Sequence, residues 1–379
     1  MLFHGTFVRG FNICYYNSII MLTPEELRRY SRHLLIPDLG IEGQQKLKAA
    51  RVLVIGCGGL GSPILLYLAA AGVGTIGVVD GDRVDDSNLQ RQIMYGSESV
   101  GKPKVEETQR RLQSLNSFVQ VNSYFENLTS QNALSIIESY DFVVDGSDNF
   151  PTRYLVNDAC LLLHKPLIYG AIYRFEGQVA VFNYQNGPNY RDLFPTPPPP
   201  ELAPNCAEAG VLGVLPGIIG CLQANEALKL ITGIGDVLSG KLFIMDALTM
   251  ISRKIRIPKL PERPTVTQLI DYEAFCGITN DVESDIFPEE FQELINKSID
   301  FQLIDVREPH EYELDNLGGE LMPLSRLEEF VPLIQRNKRV IVHCQSGMRS
   351  QKAIAQLKDK FGFSQLSNLV GGIVAYRKL

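Results

Sequence analysis

Two short stretches carry residue types that could do chemistry. "VHCQSGMRSQ", residues 342–351, ends an apolar run on Cys344 and closes a tight turn through Gly347 and Arg349. The amides of such a loop can converge on one sulfur. A helix starting directly behind it, together with a guanidinium, favours a thiolate or persulfide anion. "VLVIGCGGLGSP", residues 52–63, sets Gly56, Gly58, Gly59 and Gly61 between an apolar run and a helix-like run. Glycines there permit a tight turn and close backbone approach, and the helix N-terminus points amides at phosphate. Asp80 ends a second apolar run nineteen residues after Gly61, where an acid can bind ribose hydroxyls.

The residues beyond Asp80 distinguish two chemistries. A hydride-transfer enzyme is compatible with the glycine turn and Asp80 alone. It has little use for Asn88, Arg91 and Gln92 directly after the second apolar run, for Lys104 in "VGKPKVE", or for Asp148 and Asn149 in "VVDGSDN". Attack on an α-phosphate needs cations for the developing negative charge and a carboxylate to hold Mg²⁺. Arg91 and Lys104 supply the first and Asp148 the second.

These residues need elements to position them. Residues 22–48 read as helix, 51–56 and 75–80 as apolar strands, and 62–74 as the helix between them. Helix 103–115, strand 120–125, helix 131–139 and strand 140–148 continue the alternation, which implies a parallel sheet with covering helices. Two strand-like runs fill 166–184. Residues 183–210 are proline-rich and expected to be irregular. Helix 213–232 and strands 241–247 and 252–258 come next. A second, smaller α/β alternation begins at 286, and its strand 339–344 and helix 350–360 flank the Cys344 loop. The predicted fold is therefore α/β: a Rossmann-like, mostly parallel sheet domain, then a small α/β domain. The expected organisation is an added or unstructured extension over 1–20, with Met21 the natural start; a first domain over 21–257; a linker over 258–285; and a second domain over 286–379.

A length of 379 residues suits two or three domains, and 45% hydrophobic with 21% charged residues is an ordinary globular composition. The net charge of −7 argues against a nucleic-acid surface. The longest apolar stretch, 211–222, contains Pro216 and is too short to span a membrane. Seven scattered cysteines without a CxxC motif fit a reducing cytoplasm.

Several long motifs occur in order: "RYSRHLL", "GCGGLGSP", "VVDGDRVDDSNLQRQ", "GKPKVE", "VDGSDNFPTRYLVND" and "CAEAGVLGVLPGIIGCLQANEALK". Over residues 22–257 the chain resembles the ThiF/MoeB-like adenylyltransferases of the ubiquitin-activating superfamily. The likeness is greatest to the molybdopterin-synthase and thiamin-sulfur-carrier branch. "LIDVREPHEY", "VHCQSGMRS" and "LVGGIVAYRKL" together resemble a rhodanese domain over 286–379, with Tyr376 where that family often has Trp.

The first resemblance implies AMP transfer from ATP and Mg²⁺ to the C-terminal Gly-Gly of a small ubiquitin-like sulfur-carrier protein. Gly59, Asp80, the run Ser87, Asn88, Leu89, Gln90 and Arg91, then Lys104, Asp148 and Asn149 fall on the family's nucleotide-site positions. Arg32 matches an arginine that reaches into the neighbouring subunit of a homodimer. The second resemblance implies that Cys344 carries a sulfane sulfur, received from a cysteine desulfurase or thiosulfate. The expected product is a C-terminal thiocarboxylate, with Cys206 either attacking the activated carrier or resolving a disulfide to it. Many relatives hold zinc with two CxxC pairs. Those positions here read "NYRD" (189–192) and "EAFC" (273–276), so no structural zinc is expected. Two readings stand beside this one: an enzyme passing a modifier from Cys206 to conjugating partners, and a non-catalytic sulfur-carrier adaptor. Among molybdopterin, thiamin, cysteine and tRNA-thiolation pathways, the closeness of the motifs favours molybdopterin.

Overall fold

The computed structural model describes residues 21–198, 210–260, 265–276 and 285–379. The chain divides into two units, Met1–Ile278 and Thr279–Leu379. The expected extension over 1–20 and Cys206 lie outside the described residues.

The first unit opens with three short helices where the sequence predicted one: α1 (Pro24–Arg29), α2 (Ser31–Leu34) and α3 (Gly40–Ala49). Pro37 and the left-handed Gly40 (φ 52°) break the run. The start is as expected: Thr23 caps α1, and Glu26 completes the capping box. Next in the chain comes an eight-stranded sheet. Its strands are β1 (Arg51–Ile55), β2 (Thr75–Val79), β3 (Gln120–Tyr124), β4 (Phe142–Asp145), β5 (Leu167–Tyr173), β6 (Glu176–Phe182), β7 (Lys241–Asp246) and β8 (Ser252–Arg256). The spatial order is β3-β2-β1-β4-β5-β6-β7-β8. β1 to β5 are mutually parallel, and the last three pairings are antiparallel. β1 and β2 are nearly continuous apolar runs because both faces of this sheet are covered.

The covering helices are α4 (Gly61–Ala71), α5 (Lys104–Leu115), α6 (Ala133–Glu138), α7 (Phe150–Leu162) and α8 (Tyr190–Leu193), then α9 (Val214–Thr232). By length and composition α9 could cross a membrane, which the apolar stretch alone did not suggest. Its place in the fold is a core position against α4, β5 and β6. It buries Gln223, whose amide donates to the Asp145 carbonyl at 2.7 Å, and Glu226, which accepts from the Leu238 amide at 2.8 Å. A last turn, α10 (Tyr272–Phe275), packs on α7. Part of the segment read as linker therefore belongs to the body: Tyr272 and Cys276 are buried in the same core as Tyr154 and Leu155.

The second unit holds a five-stranded parallel sheet of order β11-β10-β12-β13-β9, from β9 (Asp285–Ile286), β10 (Gln302–Asp305), β11 (Glu320–Leu321), β12 (Val340–His343) and β13 (Leu366–Leu369). The helix Met348–Phe361 packs on β12 and β13, and Ile304, Val342, Ala353 and Leu357 share its core with Cys344.

Candidate functional sites

The first unit carries a cleft of about 980 Å³ at the carboxyl ends of β1 to β4. β1 and β4 are neighbours while the chain between them runs outward through β2 and β3, so the strand order reverses at this point. Such a switch point is where open α/β sheets bind ligands. The glycine turn leaves β1. Gly56 is left-handed (φ 87°), and a Cβ on Gly61 would lie 2.0 Å from the Gly56 carbonyl oxygen, so only glycine closes the turn. The Asp80 carboxylate accepts from the Cys57 amide and the Asp82 amide, both at 2.8 Å, and the Tyr95 hydroxyl donates to the Cys57 carbonyl at 2.9 Å. The loop is thus held from β2 and from the segment after it.

Of the expected nucleotide residues, Gly59, Asp80, Arg91, Lys104, Asp148 and Asn149 line this cleft. Lys104 is buried and its ammonium meets Asp82 at 2.8 Å. Burial opposes its charge, but Asp80 and Asp82 hold its pKa above the usual lysine value. Burial likewise pushes the Asp80 carboxyl up, against the pull of Lys104. Asp148 stands exposed at the mouth, and Asn149 also caps α7, accepting from the Thr152 amide at 2.9 Å.

Ser87, Asn88, Leu89 and Gln90 do not line this cleft. Asn88 is occupied locally, accepting from the Asp85 amide, and Ser87 donates to Asp85. Their run forms a short turn whose structural use is to aim Arg91 at the cleft, with its guanidinium donating back to the Ser87 carbonyl at 3.1 Å. Arg32 is exposed on α2 and also lies outside the lining of its own chain's cleft.

The reading from sequence passed over Asp82 and Arg153, while Gln92, singled out beside Arg91, lines the cleft. Arg153 is a buried cation in the cleft wall, stacked over Phe150 and Tyr169 and donating to the Ser147 carbonyl. It lies near the fully buried Asp145, whose carboxyl is pushed up by burial against the pull of Arg153. An arginine and an aspartate in otherwise apolar runs were the available signal.

In the second unit, Cys344 directly follows β12 and is fully buried. Its Sγ accepts from the Gly347 amide at 3.1 Å and from the Ser350 hydroxyl at 3.5 Å. Gly347 is left-handed (φ 92°), which turns its amide back onto the sulfur as the helix Met348–Phe361 begins. Arg349, expected to act beside the sulfur, has its guanidinium held by Glu311 through two short bonds. Arg307, buried against Asp305, also donates to Gln345 in the loop at 3.2 Å. His343, adjacent and buried, has its pKa lowered by burial despite Asp305.

The segments 189–192 and 273–276, where the family resemblance raised the question of zinc, are joined through Asp158. Arg191 donates twice to Asp158, at 2.8 and 2.7 Å, and the Tyr272 hydroxyl donates to the same carboxylate at 2.8 Å. The guanidinium lies over the rings of Tyr154 and Phe275, at 5.0 and 4.9 Å.

Comparison with known proteins gives a family for each of the two units. Residues 30–265 match the model of the ThiF family, and residues 287–379 match that of the rhodanese-like domain. The chain is 47% identical over 371 residues to a probable adenylyltransferase/sulfurtransferase, MoeZ, of Mycobacterium tuberculosis, covering 94% of each chain. It is 56% identical over 267 residues to a sulfur carrier protein adenylyltransferase of Thermus thermophilus, covering 68% of this chain and 98% of that one. It is 42% identical over 392 residues to the adenylyltransferase and sulfurtransferase MOCS3 of Anopheles gambiae, covering 96% and 89%. Among solved structures, Escherichia coli MccB in complex with a MccA variant superposes with a TM-score of 0.56 at 21% identity, over 66% of this chain and 74% of that one, a likeness of fold. With the family model spanning most of the first unit and full-length relatives sharing both parts, the chain belongs to the ThiF family, carries a C-terminal rhodanese-like domain, and is an adenylyltransferase and sulfurtransferase.

Proposed function

We propose that the first unit transfers AMP from ATP to the C-terminal Gly-Gly carboxylate of a small ubiquitin-like sulfur carrier, of the molybdopterin-synthase small-subunit type. The second unit then delivers sulfur from a Cys344 persulfide, received from a cysteine desulfurase or thiosulfate. The carrier carboxylate attacks the α-phosphate and pyrophosphate leaves. The glycine turn binds phosphate with its amides, Lys104 and Arg91 offset the developing charge, and Asp80 meets the ribose. Arg91 and Lys104 lining one cleft with Asp148 at its mouth is the observation that carries this reading. Mg²⁺ fits Asp148: a single exposed carboxylate beside a phosphate site suits an ion that keeps most of its ligands as water and phosphate oxygen. When bound, it neutralises phosphate charge.

Sulfur transfer requires the persulfide sulfur to attack the acyl-adenylate carbonyl with loss of AMP, and a thiol to attack Sγ of Cys344 in the resulting acyl disulfide, which releases the thiocarboxylate and leaves a disulfide that an external thiol reduces. Cys206 is the first-unit thiol we assign to the carrier side of this exchange. The enzyme works as a cytoplasmic homodimer in which Arg32 serves the neighbouring cleft. Its exposure beside exposed Leu35, Ile36 and Ile41 supports that assignment. The free state of the described cysteines supports a reducing compartment. Arg191, bound to Asp158, stands in for structural zinc.

The deciding test is Asp148→Ala. It abolishes carrier-dependent ATP–pyrophosphate exchange and leaves sulfur transfer from thiosulfate to cyanide intact. Loss of both activities in a folded variant overturns the division of labour.

A further inference from the structure

The segment 269–273 has no part in the chemistry above, yet it lines the cleft beside Asn127–Gln131, the loop that comes after β3. It is tied at both ends. The Ser130 hydroxyl donates to the Ile270 carbonyl at 2.5 Å, and two residues on, Tyr272 reaches Asp158 of α7. Asp158 is in turn clamped by Arg191, and both are buried. Asp271, between these ties, caps α10, accepting from the Glu273 and Ala274 amides. The segment therefore bridges from the end of β3 to the helix after β4.

Its position relative to the phosphate site indicates what it meets. The glycine turn comes after β1, Asp80 after β2, and Asn127–Gln131 after β3, which is the edge strand. Strands lie about 4.8 Å apart, so the loop after β3 sits about 10 Å outward from the phosphate turn. A nucleotide with phosphate at β1 and ribose at Asp80 places its base there. The wall offered is apolar in Leu128, Leu269 and Ile270, with polar edges in Thr129 and Ser130. Ile270 is 37% exposed, an apolar side chain that a flat base would cover.

We propose that Leu269–Tyr272 is the base-side wall of the nucleotide cleft, and that Asp158 and Arg191 are positioning residues for nucleotide affinity acting through Tyr272. This rests on the nucleotide reading of the cleft.

Hydrogen exchange of the full chain with and without Mg·ATP, run beside calorimetry of ATP binding, tests it. The expected result is slowed exchange of the amides of 269–274 on binding. Ile270→Asp raises the ATP KM in pyrophosphate exchange at least tenfold with kcat within about threefold, Ile270→Leu behaves as wild type, and Arg191→Met shows the same KM-selective loss. Should Arg191→Met fail to fold, the surface substitution at Ile270 still decides. ATP binding with 269–274 unprotected, or an unchanged KM in Ile270→Asp, overturns the wall. Absence of ATP binding in the wild type instead overturns the nucleotide reading, and the wall with it.

Discussion

Arg349 and Glu311 face each other through two parallel bonds, Nη1 to Oε2 at 2.6 Å and Nη2 to Oε1 at 2.7 Å. The arginine of the sulfur loop is thereby tied to the helix Pro309–Leu314, next in the chain after β10. Hydrogen bonds from Arg349 hold the Glu311 carboxyl below its ordinary value, against the effect of burial. The pair's contribution to stability is therefore full above the unfolded carboxylate value of 4.5 and is lost as pH falls through the lower folded value.

If Arg349 acts by anchoring the loop, Glu311→Gln and Arg349→Met should each slow thiosulfate–cyanide transfer to a similar degree. The double variant should be no worse than either single one, a coupling of about 1 kcal/mol. Glu311→Gln should also flatten the fall in melting temperature below pH 4.5. An Arg349→Met loss far larger than that of Glu311→Gln would give the guanidinium a direct role at the sulfur.

The Arg191–Asp158 pair is buried and bidentate. Removing one partner strands the other charge, so Arg191→Met should cost about 3–5 kcal/mol in urea unfolding. Arg191→Met with Asp158→Leu should recover much of this, because the buried charge goes with its partner. Metal analysis of protein purified without chelator should give far less than one zinc per chain. Near-stoichiometric zinc that survives dialysis would contradict the replacement.

How far the sequence could be read depended on how local each cause was. The glycine turn was legible because its constraint lies within six residues: Gly61 approaches the Gly56 carbonyl. The buried strands announced themselves as apolar runs, and the Cys344 loop by its place between strand and helix. The Arg191–Asp158 bond joins residues 33 apart in the chain, and Tyr272–Asp158 spans 114. Nothing local in "NYRD" or "DYEAF" marks such partners, so the second of these read as linker. The partner of Arg349 was hidden for the same reason: Glu311 is 38 residues away.

Within the glycine turn the four glycines are not equivalent. A Cβ on Gly58 would meet only the Gln92 amide nitrogen, at 3.6 Å, an ordinary contact. A Cβ on Gly61 collides with backbone. Gly61→Ala should therefore lower the melting temperature by several degrees and abolish pyrophosphate exchange. Gly58→Ala should stay within about 1 kcal/mol of wild type in stability. Equal losses of stability in the two variants would mean that the turn is not set by the Gly56–Gly61 approach.

The route of sulfur depends on which first-unit thiol can react. Four are described, and in each burial pushes the thiol up: Cys57, Cys160, Cys221, and Cys276, which reaches about 11. A thiol nucleophile must ionise, so these four are poor choices. Cys206, which like Cys14 lies outside the described residues, is the thiol marked in the sequence by its position in "APNCAEAG" just ahead of α9. Cys344→Ala should stop thiocarboxylate formation while adenylation continues, whichever route holds. Cys206→Ala separates the routes. If Cys206 bonds to the carrier or resolves its acyl disulfide, the variant should keep pyrophosphate exchange near normal and lose thiocarboxylate output by about a hundredfold, equivalent to about 2.7 kcal/mol in barrier. The measurement is mass spectrometry of the carrier terminus after incubation with ATP, thiosulfate and each variant. Accumulation of a carrier–Cys344 acyl disulfide in the Cys206→Ala reaction would mark the resolving step as the one lost. Thiocarboxylate at close to the wild-type rate would remove Cys206 from the mechanism and leave release to an external thiol.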